Sequence, residues 1–131
     1  MVRVLLADDN NSLREEIARL LGGEPDLQIV GEASHGKMAV ELARQLLPDV
    51  VLMDLSMPVM NGLAATRKIA AELPSVRVIG LSMYDDASEG ELMRKAGASA
   101  YLSKAGSGDF ATSFMLAIRA QRSDKGNNQS S

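Results

Sequence analysis

Four places in the sequence set polar side chains directly after short apolar runs. Asp8-Asp9 follow Val2–Ala7, Asp54 follows Val50–Met53, Ser82 follows Val76–Leu81, and Lys104 closes the run Ser99–Ser103. Carboxylates are the hard oxygen donors that magnesium or manganese takes. A lysine ammonium and such a cation both neutralise phosphoryl oxygens, a hydroxyl donates a hydrogen bond to one, and a carboxylate can attack phosphorus. These four groups are therefore the parts needed to move a phosphoryl group, with Asp54 as the nucleophile candidate. The chain has no cysteine, hence no thiolate nucleophile, no disulfide and no thiolate-held zinc. It also lacks the glycine-rich Lys-Ser/Thr loop of nucleotide-binding proteins and the dinucleotide fingerprint.

The elements that position these groups follow from the pattern. The stretch Asp49-Val-Val-Leu-Met-Asp54 is apolar without alternation, as in a strand of a parallel sheet buried on both faces. Pro58, Asn61 and Gly62 then break the pattern into a loop. Asp54 thus falls at the C-terminal end of a central strand, where open α/β sheets place their ligand sites. A carboxylate there is costly unless paired, hydrogen-bonded or bound to metal. Read by itself, it is equally well a helix-capping or loop aspartate.

Taken in order, Val2–Ala7 reads as a strand, and Ser12 with Glu15 as a capping box opening a helix that Gly22-Gly23 stop. Leu27–Ala33 is a strand, and 36–47 is a helix with Ala39, Leu42, Ala43 and Leu46 on one face. A helix over 63–73 ends at Pro74, and a strand over 76–81 delivers Ser82. Asp86 and Glu89 repeat the capping pattern before a helix to Ala96, closed by Gly97. A short strand over 99–103 and a last helix over about 109–121 complete the domain, and 122–131 read as a disordered tail or the start of a linker. Five strands alternating with five helices imply a parallel sheet covered on both faces by right-handed crossovers. In such a sheet all strand C-termini share one edge, so Asp8, Asp9, Asp54, Ser82 and Lys104 become neighbours. The alternative is a set of unrelated loop residues, each capping its own helix.

Composition narrows the function classes. A chain of 131 residues with 46% hydrophobic residues makes one packed domain. The only aromatics are Tyr84, Tyr101, Phe110 and Phe114, so the core is expected to be aliphatic. A formal charge of −3 gives no general attraction to nucleic acid. No apolar run reaches membrane-spanning length and no signal peptide leads the chain, which points to the cytoplasm.

With these motifs in order, the sequence resembles the receiver domain of bacterial two-component response regulators over about residues 2–121. The resemblance rests on Asp8-Asp9, on Asp54 within Met53-Asp-Leu-Ser-Met-Pro-Val-Met-Asn-Gly62, on Ser82, and on Tyr101-Leu-Ser-Lys104. Met53–Pro58, Leu81-Ser-Met-Tyr-Asp-Asp86 and Ala117-Ile-Arg-Ala120 look most like the NarL/FixJ type, which usually precedes a LuxR-like DNA-binding domain. The resemblance implies a three-layer, doubly wound (βα)5 fold of the flavodoxin-like, CheY-like kind, with strand order 2-1-3-4-5. It implies that Asp54 accepts a phosphoryl group from a sensor histidine kinase. Asp9, Asp54 and the Ser56 carbonyl would hold Mg2+ (or Mn2+), Asp8 through water, and Lys104 would bind a phosphoryl oxygen. Ser82 would turn inward to another such oxygen, with Tyr101 following as the second switch residue, and a phosphorylation-dependent homodimer or an attached output domain would read the change. Such a domain would be a phosphoacceptor switch acting only on its own aspartate, not an enzyme with a separate substrate. The chain departs from the family in having Ala105 where proline is common, so a cis bond is not expected there. It also carries about one extra helical turn between Gly106 and Ser113 and no DNA-binding domain.

Two rival readings use the same residues. One is a magnesium-dependent phosphatase of the haloacid-dehalogenase kind, whose Asp-x-Asp on the first strand differs from the adjacent pair Asp8-Asp9 here. The other is a phosphorylation-independent interaction module. Of the remaining residues, the single histidine, His35, reads as a solvated loop residue, and Asp85-Asp86 as a helix cap rather than a ligand pair. Met53, Met57, Met60 and Met83 read as packing around the site. Tyr101 is either a half-buried strand aromatic or the switch residue.

Overall fold

The computed structural model describes residues 1–55, 57, 60–82, 87–103 and 112–119. Short apolar runs become strands and the longer amphipathic segments become helices, in strict alternation. The order is β1 (Val2–Ala7), α1 (Asn11–Gly22), β2 (Leu27–Ala33), α2 (Gly36–Leu46), β3 (Val50–Asp54), α3 (Gly62–Glu72), β4 (Arg77–Ser82), α4 (Ala87–Ala96) and β5 (Ala100–Ser103). A further helix, α5, covers 112–119. All strands pair in parallel in one sheet of order β2-β1-β3-β4-β5, the expected doubly wound topology.

Alternate residues of each strand point to opposite faces, which splits the core in two. Leu5 and Ala7 of β1 and Val51 and Met53 of β3 pack with Ala39, Val40 and Ala43 of α2, Ala65 and Ile69 of α3 and Met93 of α4. Val4, Leu6, Val50 and Leu52 face the other way, onto Ile17 and Leu21 of α1 and onto Phe114, Met115 and Ile118 of α5. Burial on both sides explains why β1 and β3 read as unbroken apolar runs. The core is largely aliphatic, as composition implied, with Phe114 as its one fully buried aromatic among the described residues.

The cap of α1 and the role of His35 differ from the sequence reading. The α1 cap is Asn10, whose side chain accepts from Leu13 N at 3.1 Å, and Ser12 lies inside the helix. The cause is the acid at the strand end: Asp8 Oδ1 accepts from Asn10 N, two residues on, at 2.9 Å, which turns the chain and makes Asn10 the cap. His35 is half-buried and caps α2, its Nδ1 accepting from Met38 N at 3.1 Å. An imidazole nitrogen serves here as the acceptor that Ser or Asn more often supplies.

At its other end α2 closes on Leu47 in the left-handed conformation (φ 45°). The Arg3 guanidinium donates to the carbonyls of Leu46 at 2.8 Å and Leu47 at 3.0 Å, satisfying acceptors that the helix leaves open. β4 starts and ends one residue later than expected, so Ser82 is part of the strand and lies beside Ser103 of β5. The turn before it explains the shift, since Val76 N donates back to Leu73 O.

Candidate functional site

Strand register sets the site. Ala7 lies beside Met53, Asp54 beside Leu81, and Ser82 beside Ser103, so the residues at or just past these strand ends share one edge of the sheet. There the carboxylates of Asp8, Asp9 and Asp54 each offer an oxygen within 4.8 Å of the other two. Asp8 and Asp54 are 3% and 6% exposed, while Asp9 is open to solvent. Magnesium sits about 2.1 Å from each ligand, so ligands on opposite sides of it are about 4.2 Å apart. The acidic cluster has nearly that span, and its all-oxygen donor set suits a small hard cation.

Local contacts hold Asp8 and Asp54 in place. Asp8 N donates to Ala33 O at 3.0 Å, continuing the β1–β2 ladder past the strand end. The Arg14 guanidinium binds three groups around that turn: the Asp8 carbonyl at 2.6 Å, Glu32 Oε1 at 2.8 Å and Asn11 Oδ1 at 2.6 Å. A rigid fork of donors of this kind fixes the relative positions of β1, α1 and β2.

On the β3 side, Leu55 N donates to Leu81 O at 3.1 Å, and Gly62 N closes the loop onto Leu55 O at 2.9 Å. A Cβ at Gly62 would fall on the Asp54 carbonyl, so only glycine lets the start of α3 come this close behind the acid. Asn61 caps that helix, accepting from Ala64 N at 2.8 Å. The Asn61-Gly62 pair that the sequence marked as a loop is thus the seat of Asp54.

At the β4 end the buried Ser82 hydroxyl donates to Glu89 Oε1 in the first turn of α4 at 3.3 Å. Tyr101 is half-buried on β5, with its ring packed against Gly80 and Gly90. The structure therefore brings Asp8, Asp9 and Asp54 together and puts Ser82 on the same edge. Ser56, Met83, Asp85, Asp86, Lys104 and Ala105, together with 120–131, lie outside the described residues. Two residues were missed as parts of the site. Arg14 has the spacing of an ordinary exposed helix residue, and nothing in the sequence signals its reach to Glu32. Glu89 reads as half of a capping box, with no sign that its carboxylate meets Ser82.

An open parallel sheet with helices on both faces and an acidic cluster at its carboxyl edge defines a class of α/β switch and ligand-binding domains. Within that class, the family model described as "Response regulator receiver domain" matches residues 4–110, and the chain belongs to that family. It is 41% identical over 103 residues to the transcriptional regulatory protein DegU of Brevibacillus brevis, covering 79% of this chain and 44% of DegU. It is 44% identical over 104 residues to the response regulator UvrY of Escherichia coli, covering 79% of this chain and 48% of UvrY. The chain thus spans about half the length of such curated relatives. A two-component response regulator of the LuxR family from an Aurantimonas species superposes with a TM-score of 0.84 at 32% identity, over 92% of this chain and 84% of that one. The receiver domain of a NarL regulator from Mycobacterium tuberculosis gives 0.76 at 33% identity, over 81% and 86%. The protein is a two-component receiver domain of the NarL/LuxR type, homologous to transcriptional regulators. Among the described residues no helix is long and apolar enough to cross a membrane.

Proposed function

We propose that Asp54 is the phosphoacceptor of this receiver and takes its phosphoryl group from a sensor histidine kinase. The observation that carries this reading is the meeting of Asp8, Asp9 and Asp54 within 4.8 Å at the strand ends of a receiver-family chain. Asp54 is the residue of the three that the central strand itself presents, buried against Leu55 and Gly62. One of its carboxylate oxygens attacks phosphorus, the phosphorus–nitrogen bond of the donor phosphohistidine breaks, and the imidazole leaves. Water reverses the modification by hydrolysing the acyl phosphate.

Asp9, Asp54 and the Ser56 carbonyl would hold Mg2+, with Asp8 acting through water. When bound, the cation neutralises charge on the phosphoryl oxygens. Lys104 would bind one phosphoryl oxygen and Ser82 would donate to another, with Tyr101 following Ser82. The chain's own chemistry is limited to this aspartate, so it works as a switch and not as an enzyme with a separate substrate. In this reading residues 1–121 are the receiver and 122–131 a disordered tail or the start of a linker, and a DNA-binding output domain or a homodimer would read the modification. The family's transcriptional regulators support that output.

Acetyl phosphate with Mg2+ should add one phosphoryl group, seen by intact-mass spectrometry, and Asp54→Asn should add none. An equal increment in the variant would remove Asp54 from this role.

A further inference from the structure

We propose that Glu89 is a positioning residue that holds Ser82 in its resting orientation and sets how readily the domain switches. The inference rests on the reading of Ser82 as a donor to the phosphoryl group on Asp54. A serine hydroxyl has one proton to donate. In the structure Ser82 Oγ donates to Glu89 Oε1, so this bond and a bond to the phosphoryl oxygen compete for the same proton. At 3.3 Å the contact is long for a hydroxyl donor. It is a weak hold, suited to exchange, yet it joins a charged acceptor to a hydroxyl that is only 3% exposed.

Glu89 is also well placed to transmit the exchange. It lies in the first turn of α4, where a carboxylate is favoured by the helix dipole, and its neighbour in the chain is the buried Gly90. The Tyr101 ring packs on Gly90, only 3.0 Å from where a Cβ there would stand. Ser82 and Tyr101 therefore bear on the same turn of α4 through consecutive residues. Giving up the Ser82 bond lets Glu89 turn back toward the first-turn N–H groups of its own helix, and the turn that supports Tyr101 changes with it. Two conformations that differ in this hydrogen bond give the bistable element that a phosphoryl group can bias.

The test is titration of the whole chain with beryllofluoride and Mg2+, read by amide NMR at Asp54 and by the Tyr101 ring signals. Glu89→Ala should tighten beryllofluoride binding about threefold to tenfold and move the Tyr101 signals part of the way before any is added. Glu89→Gln keeps an oxygen acceptor without the charge and should fall between wild type and Glu89→Ala. Ser82→Ala should weaken binding, and on that background Glu89→Ala should change nothing further. A gain of the same size with and without the Ser82 hydroxyl would show that only the charge of Glu89 matters and would overturn the proposal. Normal uptake by wild type with no change in Glu89→Ala would overturn it alone. No uptake at Asp54 in wild type would overturn the reading of Asp54 and the role of Glu89 together.

Discussion

The two ends of the carboxyl edge are built differently. Around β1 and β3 the two buried acids, Asp8 and Asp54, are each met by a neighbouring element. Asp8 is held by the Asn10 amide and by Arg14 on its carbonyl, and Asp54 is backed by the close approach of Gly62. Around β4 and α4 the described hydroxyl of Ser82 meets Glu89 across 3.3 Å, and the half-buried Tyr101 leans on two glycines. The first half already groups its oxygens within 4.8 Å of one another, a spacing that a small cation can bridge. The second half contains a contact that can be exchanged, the long bond from Ser82 to Glu89. A switch needs both: a preorganised site to bind, and a nearby element whose two states lie close in free energy.

The sharpest way to break this comparison is at the acid that would take the phosphoryl group. Asp54→Asn should lose phosphorylation by acetyl phosphate entirely, whereas Ser82→Ala should still accept it, as intact mass will show. Next in size is the framework of the rigid half. Arg14→Ala removes three charge-assisted bonds around the Asp8 turn and should cost about 2 kcal/mol in urea unfolding, since the hydrogen bonds of charged groups are worth about 1.5–3 kcal/mol each, less what solvent recovers. A cost near zero would show that the turn holds without it.

The acidic cluster gives an effect of opposite sign. Three like charges this close repel, so in EDTA Asp54→Asn should be more stable than wild type by about 1 kcal/mol. Added Mg2+ binds the folded wild type and should narrow or reverse the difference. A variant less stable than wild type without metal would contradict this. The smallest expected change lies around β4 and α4, where Glu89→Ala should alter global stability by no more than about 0.5 kcal/mol. A loss as large as that of Arg14→Ala would make Glu89 part of the framework and erase the contrast between the two halves.

What the sequence made legible was local. The runs Val2–Ala7 and Val50–Met53 had to be buried strands because they lack alternation, and in a parallel sheet their ends had to share an edge. That placed Asp8, Asp9, Asp54 and Ser82 together with no contact map. Caps were harder to read. Ser12 with Glu15 fits the capping pattern as well as Asn10 does, and the choice was made by the bond from Asn10 to the Asp8 side chain. His35 looked solvated because its partner is a backbone amide, which every residue but proline has and no sequence pattern reveals.

The sequence by itself thus determined the alternation of elements, the two apolar faces and the list of chemically capable residues, since these follow from periodicity and residue type. Only the tertiary structure decided distances: the 4.8 Å spread of the carboxylates, the reach of Arg14 to Glu32, and the meeting of Ser82 with Glu89. These depend on strand register and helix docking, which the packing of the whole chain sets at once. A side chain's type says what it can bond to, but which partner stands within about 3 Å is fixed by every other contact in the core.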